Sequence, residues 1–483
     1  MIRPAVVLGY LGRIILIIGI AMLSCLTWSV PYQEPETIPI LLAAAITIGC
    51  GLLLYLSFSK SSPINFREGF LLVSLAWIVA SVFGSLPYMF SGYLPSFFDA
   101  FFETVSGFTT TGATVVSDVE AWPKGLLFWR SLTQWLGGMG IIALFVAVIN
   151  TLGSRAKQLF KAEVPGPVSD ILSPRIRENA RILWITYLVL SILCATAYYI
   201  FGMDAFDAIC HTFTTLSTGG FSTKNSSIGF FTNPWLQWSV ILFMFLGGVN
   251  FALHFFCFKK RNPLVYLKNA EFRLYSLIII VASLLVFVNL QDKWAVAGIE
   301  GTLRAAIFQI VSLITTTGFA TTDFNIWPPL SLALLLTMMF IGGCSGSTAG
   351  SIKPGRYLII GNRTLIELKK MVHPKAVFPL RYGGMMVRED LLINVLQFFF
   401  LYMAFALLGT LIMASLGLDF LSAFSATATS LGNCGPGLGL VGPMSNFSFL
   451  PDAGKFTLSI LMLVGRLEIY PILVLFLPSF WHE

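Results

Sequence analysis

Four short stretches rich in glycine and hydroxyl side chains recur along the chain, and chemistry could be built on them. Each centres on one glycine, and successive glycines are about a hundred residues apart. A serine or threonine stands six residues before each glycine. The stretches, called here glycine loops 1 to 4, are 109–113, 217–221, 315–319 and 432–436, centred on Gly112, Gly220, Gly318 and Gly435, with Ser106, Thr214, Ser312 and Thr429 upstream. One such stretch is a turn, but four in register predict a ring.

A ring of such loops could replace the water shell of a monovalent cation. Backbone without helix is tolerated at membrane depth only where it is buried in protein or lines a wet cavity. Glycine permits the backbone angles that turn successive carbonyl oxygens to one side, and rings of carbonyl oxygens coordinate desolvated cations. Threonine hydroxyls can add further oxygens. The predicted filter residues are Thr110, Thr111, Gly112, Thr218, Gly219, Gly220, Thr316, Thr317, Gly318, Asn433, Cys434 and Gly435.

The composition indicates that a membrane protein carries these loops. Of the 483 residues, 56% are hydrophobic and only 11% are charged. A soluble globular chain carries about 25% charged residues. The apolar segments are long rather than weakly alternating, which favours helices over a barrel. The sequence therefore predicts an all-α polytopic membrane protein.

The apolar segments form one N-terminal helical hairpin and four copies of a longer unit. In each copy a span leads to a short pore helix, a glycine loop and a second span. The short helices have 10–14 residues, too few to cross a bilayer, and are predicted to be re-entrant, at 96–108, 205–216, 301–314 and 419–431. The second spans are predicted at 125–151, 233–258, 328–372 and 455–478. This gives about ten transmembrane helices, in four parallel repeats around one pore. The predicted units are the hairpin 1–65 and the repeats 66–153, 154–262, 263–375 and 376–483.

The charges predict how the repeats are oriented. Segments 154–181, 257–275 and 351–390 hold 19 of the 30 lysine and arginine residues. The basic side of a membrane protein is cytoplasmic, so the glycine loops are predicted to enter from outside, with both termini inside. Acidic residues dominate beside the glycine loops: Asp99, Glu103, Asp118, Glu120, Asp204, Asp207, Asp292, Glu300, Asp323, Asp419 and Asp452. A nucleic-acid role would need a basic soluble domain, which the sequence lacks.

The second spans carry a repeated glycine pair with one substitution. The pairs are Gly137-Gly138, Gly247-Gly248 and Gly342-Gly343, and the fourth copy reads Gly465-Arg466. A charge near mid-membrane costs about 2.5–3.5 kcal/mol on insertion scales and is functional by default. Arg466 is predicted to line the pore as an electrostatic barrier. The alternative is that it pairs with Glu468 or another buried acid and holds helices together.

The second span of the third copy is interrupted by small polar residues. The run Cys-Ser-Gly-Ser-Thr-Ala-Gly-Ser at 344–351 cannot hold a stable helix, and Lys353-Pro354 restarts one. The prediction is a broken helix facing the cavity, with close packing through small residues as the alternative. Its gating residues would be Gly346, Ser347, Thr348, Ala349 and Gly350.

These motifs together resemble the membrane subunit of the Trk/Ktr/HKT superfamily of potassium transporters, of the bacterial TrkH type. The resemblance runs from end to end, and includes the glycine pairs, Gly-Gly-Cys-Ser-Gly-Ser-Thr-Ala-Gly at 342–350 and Gly-Arg-Leu-Glu at 465–468. Members with serine at the first filter position tend to favour sodium, so Gly112 indicates the potassium type. Asn433-Cys434-Gly435 departs from the threonine-rich pattern, which implies an asymmetric ring.

The resemblance implies potassium uptake across the bacterial inner membrane by a homodimer. Potassium would bind the filter residues as the transported ion, and no cofactor is expected in this chain. The 346–350 segment would be the family's intramembrane gating loop, and Arg466 a barrier. A separate cytoplasmic nucleotide-binding subunit of the TrkA type would regulate it, docking on the basic inner loops. Coupling of flux to protons or sodium (symport) stays open.

Two rival functions are weaker on sequence grounds. An alternating-access carrier for an organic solute often has inverted repeats, whereas these repeats are parallel. An intramembrane hydrolase would need a catalytic group, but the chain has four histidines, no HExxH motif and no placed buried acid pair. We therefore expect a transporter rather than an enzyme.

Overall fold

The structure is a computed structural model that describes residues 2–58, 64–151, 176–291 and 298–481. Within these residues the regular secondary structure is helical, apart from one short antiparallel pairing of β1 (Arg381–Tyr382) with β2 (Met385–Met386) and an isolated bridge in the third repeat. The predicted all-α architecture is confirmed. Residues 152–175, which include most of the predicted first basic loop, lie outside the described residues.

The N-terminal hairpin is built from α1 (Pro4–Leu23), α2 (Leu26–Ser29) and α3 (Thr37–Ser57). Small residues let the two long helices approach closely. A methyl group built on Gly12 would lie 2.9 Å from the carbonyl oxygen of Gly51. The hairpin is therefore a tightly packed pair, as the sequence predicts.

The first repeat contains α4 (Phe66–Gly84), α5 (Leu86–Phe90), α6 (Phe97–Phe108) and α7 (Lys124–Thr151). The short helix α6 leads directly into glycine loop 1. Glu34, in the turn of the hairpin, accepts the first two backbone N–H groups of α7 at 2.6 and 2.9 Å. This carboxylate caps the second span and docks the hairpin on the repeat.

The second repeat contains α8 (Ile176–Ile200), α9 (Ala205–Leu216), α10 (Pro234–Gly247) and α11 (Phe251–Lys260). Asp204 caps α9 by accepting the N–H of the third helical residue at 2.6 Å. Helices α10 and α11 meet at an angle of 100°.

The third repeat begins with α12 (Leu264–Lys268) and continues with α13 (Ala270–Leu290) and α14 (Gly298–Ile314). Its second span consists of α15 (Pro329–Met338) and α16 (Pro354–Val372), separated by an irregular segment. The broken helix predicted from the sequence is present.

The fourth repeat contains α17 (Glu389–Ser415), α18 (Phe420–Gly432), α19 (Asp452–Arg466) and α20 (Tyr470–Leu473), followed by α21 (Pro478–Trp481). Helix α19 and the segment after it are bent by 111°. Short 3-10 turns stand at Ser227–Phe230, Phe324–Ile326, Gly439–Val441 and Val474–Phe476.

The prediction of unbroken second spans over 233–258 and 455–478 was wrong. In the second repeat, Asn250 follows the glycine pair and its side chain accepts the N–H of Ala252 at 2.8 Å. An asparagine cap starts a new helix, so the span breaks there. In the fourth repeat the break falls at Glu468 and Ile469, whose φ angles are 54° and 67°.

The described residues include six helices that are long and apolar enough to cross a membrane, and up to eight spans if each bent pair counts as one. The buried apolar side chains form two main clusters. One joins the hairpin to repeats one and four, and the other joins repeats two and three. The glycine loops lie where these two halves meet.

Candidate functional site

The four glycine loops share one backbone conformation. In each, the residue two before the loop glycine and the glycine itself have positive φ angles. The values are 54° and 85° at Thr110 and Gly112, 54° and 78° at Thr218 and Gly220, 56° and 81° at Thr316 and Gly318, and 53° and 52° at Asn433 and Gly435. In a β-strand, successive residues point to opposite sides. In these loops, left-handed residues at alternate positions instead let successive carbonyl groups point to the same side. The repeat seen in the sequence is therefore a repeat of backbone geometry.

The hydroxyl residue upstream of each loop marks a repeated backbone hydrogen bond. The residue just before the loop glycine donates its N–H to the carbonyl of that serine or threonine. The bonds run from Thr111 to Ser106 (2.9 Å), Gly219 to Thr214 (2.8 Å), Thr317 to Ser312 (2.8 Å) and Cys434 to Thr429 (2.9 Å). Each loop is thus folded back onto the last turn of its pore helix.

The loops are neighbours in chain order around a closed ring. A methyl group built on Gly112 would lie 2.1 Å from the carbonyl oxygen of Gly219, and one on Gly220 would lie 1.8 Å from that of Thr317. On Gly318 it would lie 3.4 Å from the oxygen of Cys434, and on Gly435 3.1 Å from the oxygen of Thr111. Loop 1 therefore abuts loop 2, then 3, then 4, and loop 4 returns to loop 1.

The segments after the loops close a second ring in the same order. Loops 1 and 2 are joined by Val119 N–H to Asn225 Oδ1 at 2.7 Å, and loops 2 and 3 by Gly229 N–H to the Ala320 carbonyl at 3.0 Å. The remaining joints are Asn325 Nδ2 to the Gly439 carbonyl at 3.2 Å and Phe447 N–H to the Thr114 carbonyl at 2.8 Å.

The ring is suited to a cation. The pore helices α6, α9, α14 and α18 all end at their glycine loops, so their partly negative C-termini face the ring. Beside the ring, hydrogen bonds from Asn225 and neighbouring backbone hold the pKa of Asp118 below its usual value. Bonds from Ser422 lower the pKa of Asp419 in the same way. Both carboxylates are therefore ionised at neutral pH.

Two of the predicted acidic groups at the outer side have other roles. Glu103 is buried in α6 and accepts Arg130 Nε at 2.6 Å, Thr114 Oγ1 and the N–H of Val115. Asp207 is buried in α9, near Lys224 Nζ at 3.2 Å. These two carboxylates brace the ring rather than line its entrance.

Arg130 extends this brace from loop 1 to loop 2. Its Nη1 donates to the carbonyl of Ser222 at 2.9 Å, and its guanidinium lies 3.5 Å from the centre of the Phe221 ring. Sequence reasoning missed Arg130 and also Gln134, which stands one helical turn later in α7. Two polar residues four apart in an apolar helix were the available signal, since they share one face.

Loop 2 alone has a second glycine, Gly219, directly before its central glycine, and Gln134 explains why. Its Nε2 donates to the Gly219 carbonyl at 2.7 Å, and its Oε1 accepts the Phe221 N–H at 3.1 Å. A methyl group on Gly219 would lie 2.3 Å from Gln134 Cδ. The glutamine therefore fills the space that Thr111, Thr317 and Cys434 side chains use in the other loops.

The threonine side chains of the ring are not equivalent. Thr111 and Thr317 share hydrogen bonds with Thr109 and Thr315, each at 2.8 Å, so these hydroxyls hold the loops. By contrast, the buried hydroxyl of Thr110 has no hydrogen-bond partner among the described residues.

Loop 4 departs from the pattern, as its sequence predicts. Asn433 Nδ2 donates to Thr111 Oγ1 at 3.0 Å and to the Met462 carbonyl at 2.9 Å. Its buried Oδ1 has no partner among the described residues. Cys434 Sγ lies 3.4 Å from the Leu313 carbonyl. The fourth side of the ring is thus tied to its neighbours by an amide instead of a hydroxyl.

The glycine pairs pack against the ends of the pore helices. Methyl groups on Gly137 and Gly465 would each lie 1.9 Å from a pore-helix carbonyl, that of Phe108 and that of Leu431 respectively. On Gly248 a methyl group would lie 2.5 Å from the Tyr275 hydroxyl. No side chain fits there, so these glycines let the second spans support the ring.

The segment 344–351, called here the inner loop, lies against all four repeats. Thr348 Oγ1 donates to the Leu216 carbonyl at 2.8 Å, and the N–H of Gly350 donates to Thr316 Oγ1 at 2.7 Å. A methyl group on Gly350 would lie 2.3 Å from the Gly432 carbonyl. Repeats two, three and four thus contact it directly, at residues adjoining the glycine loops.

Arg466, at the end of α19, links the inner loop to the first repeat. It is 4% exposed, and it donates to the carbonyl of Thr348 at 2.8 Å and to that of Gly137 at 3.4 Å. Its Nε has no partner among the described residues. Glu468 instead pairs with Arg356 at 2.5 Å, so the described carboxylates do not include an ion-pair partner for Arg466. The structure therefore does not show the alternative ion pair between Arg466 and Glu468.

Lys353 is a second cation at the inner loop, and the sequence analysis did not single it out. Its Nζ donates to the carbonyl of Ala349 and, at 3.3 Å, to that of Gly350. Three successive carbonyls of the inner loop, at 348, 349 and 350, are therefore bound by two side-chain cations.

Comparisons with known proteins agree with this architecture. The family model described as TrkH, cation transport protein, matches residues 38–483. The chain is 41% identical to the Trk system potassium uptake protein TrkH of Escherichia coli K12 over 446 residues, 91% of each chain. It is 38% identical to the TrkH protein of Vibrio parahaemolyticus over 482 residues, 99% of each chain. The crystal structure of that species' potassium transporter TrkH superposes with a TM-score of 0.90 at 36% identity, covering both chains completely.

Proposed function

The chain belongs to the TrkH family of cation transport proteins, and we propose that it takes up potassium ions through the ring of glycine loops. The proposed filter consists of the carbonyl oxygens of the four loops, at the twelve residues that the sequence analysis assigned. Potassium is the transported ion, and the protein is a transporter rather than an enzyme.

The observation that carries this proposal is the closed ring of four loops with one shared backbone. Each loop glycine faces a carbonyl oxygen of the neighbouring loop, which a methyl group on that glycine would approach to between 1.8 and 3.4 Å. Such a ring can coordinate an ion that has lost its water shell, and it is held by hydrogen bonds that do not depend on the ion.

The inner loop and Arg466 are proposed to gate this path. The loop adjoins the inner residues of the ring, and its contacts reach all four repeats. A buried guanidinium near the path raises the energy of a passing cation. Displacement of the loop would remove its contacts with all four repeats together.

The proposed setting is the bacterial inner membrane, with both termini in the cytoplasm. The basic segments 257–275 and 351–390 face inward in this orientation. They offer a docking surface for a cytoplasmic regulatory subunit of the TrkA type. We propose a homodimer as the assembled form, with lipid around its apolar exterior.

An alternating-access carrier is the remaining competitor. Its binding site would open to each side in turn, usually between inverted repeats. The four parallel repeats and the single ring favour a pore.

The test is cation uptake into proteoliposomes that contain the purified chain. We expect rubidium uptake that potassium inhibits far more strongly than sodium does. Empty liposomes provide the background, and the Gly220→Ser variant, reconstituted in the same way, provides a matched control with a damaged ring. No uptake of either ion, or equal inhibition by both ions in the unaltered protein, would contradict the proposal.

A further inference from the structure

Glu271 lies in the first turn of α13 and is 4% exposed. Its Oε1 accepts three hydrogen bonds, and all of them come from the two sides of the inner loop. The donors are the Ser345 N–H at 3.0 Å, the Ser345 hydroxyl at 2.9 Å and the Gly355 N–H at 3.0 Å. One carboxylate thus holds the start of the loop and the first turn of the helix that follows it.

A buried carboxylate is costly unless hydrogen bonds or an opposite charge compensate it. Among the described residues, no lysine or arginine nitrogen lies within ion-pair distance of Glu271. Its hydrogen-bond compensation therefore comes from the loop and the flanking helix. If the loop moved away, the carboxylate would lose two of its three donors, so its burial favours the loop position seen here.

Acidic residues also begin the first spans of the first and fourth repeats, and there they have other surroundings. Glu68 occupies the first turn of α4, where it is buried, pairs with Arg3 at 2.7 Å and caps its own helix. Glu389 and Asp390 begin α17 and are exposed. Of these acidic residues, Glu271 is turned toward the inner loop.

The chain just before Glu271 connects the loop to the basic inner surface. Residues 257–268, called here the basic connector, include Lys259, Lys260, Arg261 and Lys268. The same inner region also bonds the loop through the Cys344 N–H to the Gly248 carbonyl (2.8 Å) and the Phe251 N–H to the Gly346 carbonyl (3.1 Å). Residues that contact the inner loop therefore flank the connector on both sides.

We propose that Glu271 is the positioning residue that holds the inner loop closed and links it to the basic connector. This inference rests on the proposed gating role of the inner loop.

The test measures rubidium uptake into proteoliposomes that contain purified chain without any partner. We expect Glu271→Ala to raise uptake about tenfold, which corresponds to about 1.4 kcal/mol in the loop equilibrium. Glu271→Gln should raise it about threefold, since a neutral acceptor keeps weaker hydrogen bonds. The ratio of rubidium to sodium uptake should stay unchanged in both variants.

Glu68→Gln is the matched control, because it removes the charge of a buried glutamate at the equivalent end of another first span. Its uptake should equal that of the unaltered protein. An equal rise in Glu68→Gln and Glu271→Gln would overturn the inference, because the loss of any buried charge would then raise uptake. If Glu271→Ala does not reconstitute, Glu271→Gln and Ser345→Ala carry the test, and both must raise uptake.

Deletion of residues 346–349 separates this inference from the proposed function. If the deletion raises uptake and Glu271→Ala does not, Glu271 is not the anchor, although the gate stands. If the deletion itself leaves uptake unchanged, the gate is wrong. In the deletion background, Glu271→Ala should add nothing, because the anchored element is already gone.

Discussion

The ring of glycine loops and the inner loop below it are built on opposite principles. The ring repeats one backbone four times, with the same left-handed positions and the same bond to an upstream carbonyl. Within the described parts of the four repeats, the inner loop occurs in the third, and it is held by single residues: Arg466, Lys353 and Glu271. The repeated backbone suits the proposed ion filter, whereas departures from the repeat suit the proposed gate.

We therefore expect changes in the ring to alter selectivity, and changes in the inner loop to alter flux. The strongest test is Gly220→Ser, because a methyl group there would already lie 1.8 Å from the Thr317 carbonyl. Left-handed backbone adds about 1–2 kcal/mol for a residue with a side chain. We expect the rubidium-to-sodium uptake ratio to fall about tenfold or more.

Gly112→Ser should behave in the same way, since its methyl group would lie 2.1 Å from the Gly219 carbonyl. Gly435→Ser is the milder partner, with φ of 52° and the nearest oxygen at 3.1 Å. A ratio unchanged in both Gly112→Ser and Gly220→Ser would remove these loops from the filter role.

Deletion of residues 346–349 addresses the other side of the comparison. Removing the loop's centre should raise rubidium uptake about tenfold without changing the rubidium-to-sodium ratio. Gly350→Ala should have a smaller effect in the same direction, because its methyl group would meet the Gly432 carbonyl at 2.3 Å.

Gly361→Ala is the control for Gly350→Ala. It lies in α16, where a methyl group would meet nothing within 4 Å, so uptake should not change. Should uptake stay at its original level in the deletion while the protein keeps its thermal stability, the inner loop is only packing.

Arg466→Ala tests whether a charge or a contact closes the path. A fixed charge about 8 Å from a passing cation costs about 1 kcal/mol at an effective dielectric constant of about 40, between the values for a protein surface and for water. We expect uptake to rise about fivefold in Arg466→Ala, and to stay low in Arg466→Lys because the charge is kept. The measurement is uptake beside the thermal unfolding temperature of both variants.

A structural arginine would give a different pattern. Lysine cannot reproduce the contact of two guanidinium nitrogens with the Thr348 and Gly137 carbonyls. Both variants would then be unstable, and neither would conduct faster.

Much of the ring could be predicted from the sequence, because each loop leaves a local pattern. A glycine at a fixed distance from a hydroxyl residue and a short apolar helix is readable in one copy and convincing in four. The boundaries of the pore helices agree with the prediction to within a few residues, as in α9, predicted at 205–216 and found at Ala205–Leu216.

The supports of the ring could not be predicted, because they depend on which residues meet across repeats. Glu103 is close in sequence to outer acidic residues, yet its partner Arg130 is on another helix. Glu271 and Ser345 are 74 residues apart. No spacing rule links such pairs. The second spans of the second and fourth repeats likewise break at short local features that the hydropathy of a span does not reveal.

Gln134 gives the smallest expected effect, and it tests whether the ring needs its one unequal support. The corresponding positions in the other repeats, three before each glycine pair, are Met244, Met339 and Met462. Gln134→Met therefore makes the first repeat match the rest at nearly constant volume. It leaves the buried Phe221 N–H without its acceptor, at a cost of about 1–3 kcal/mol. We expect the rubidium-to-sodium ratio to fall about twofold.

A pair of substitutions decides whether Gln134 acts through Gly219. Gly219→Ala alone should damage selectivity more than Gln134→Met, because its methyl group would lie 2.3 Å from Gln134 Cδ. Combined with Gln134→Ala, which vacates that space, the same Gly219→Ala change should recover part of the lost ratio. Recovery would show that loop 2 uses a borrowed side chain where the other loops use their own. If the double variant is no better than Gly219→Ala, the glycine is required for another reason, and the unequal support is incidental to selectivity.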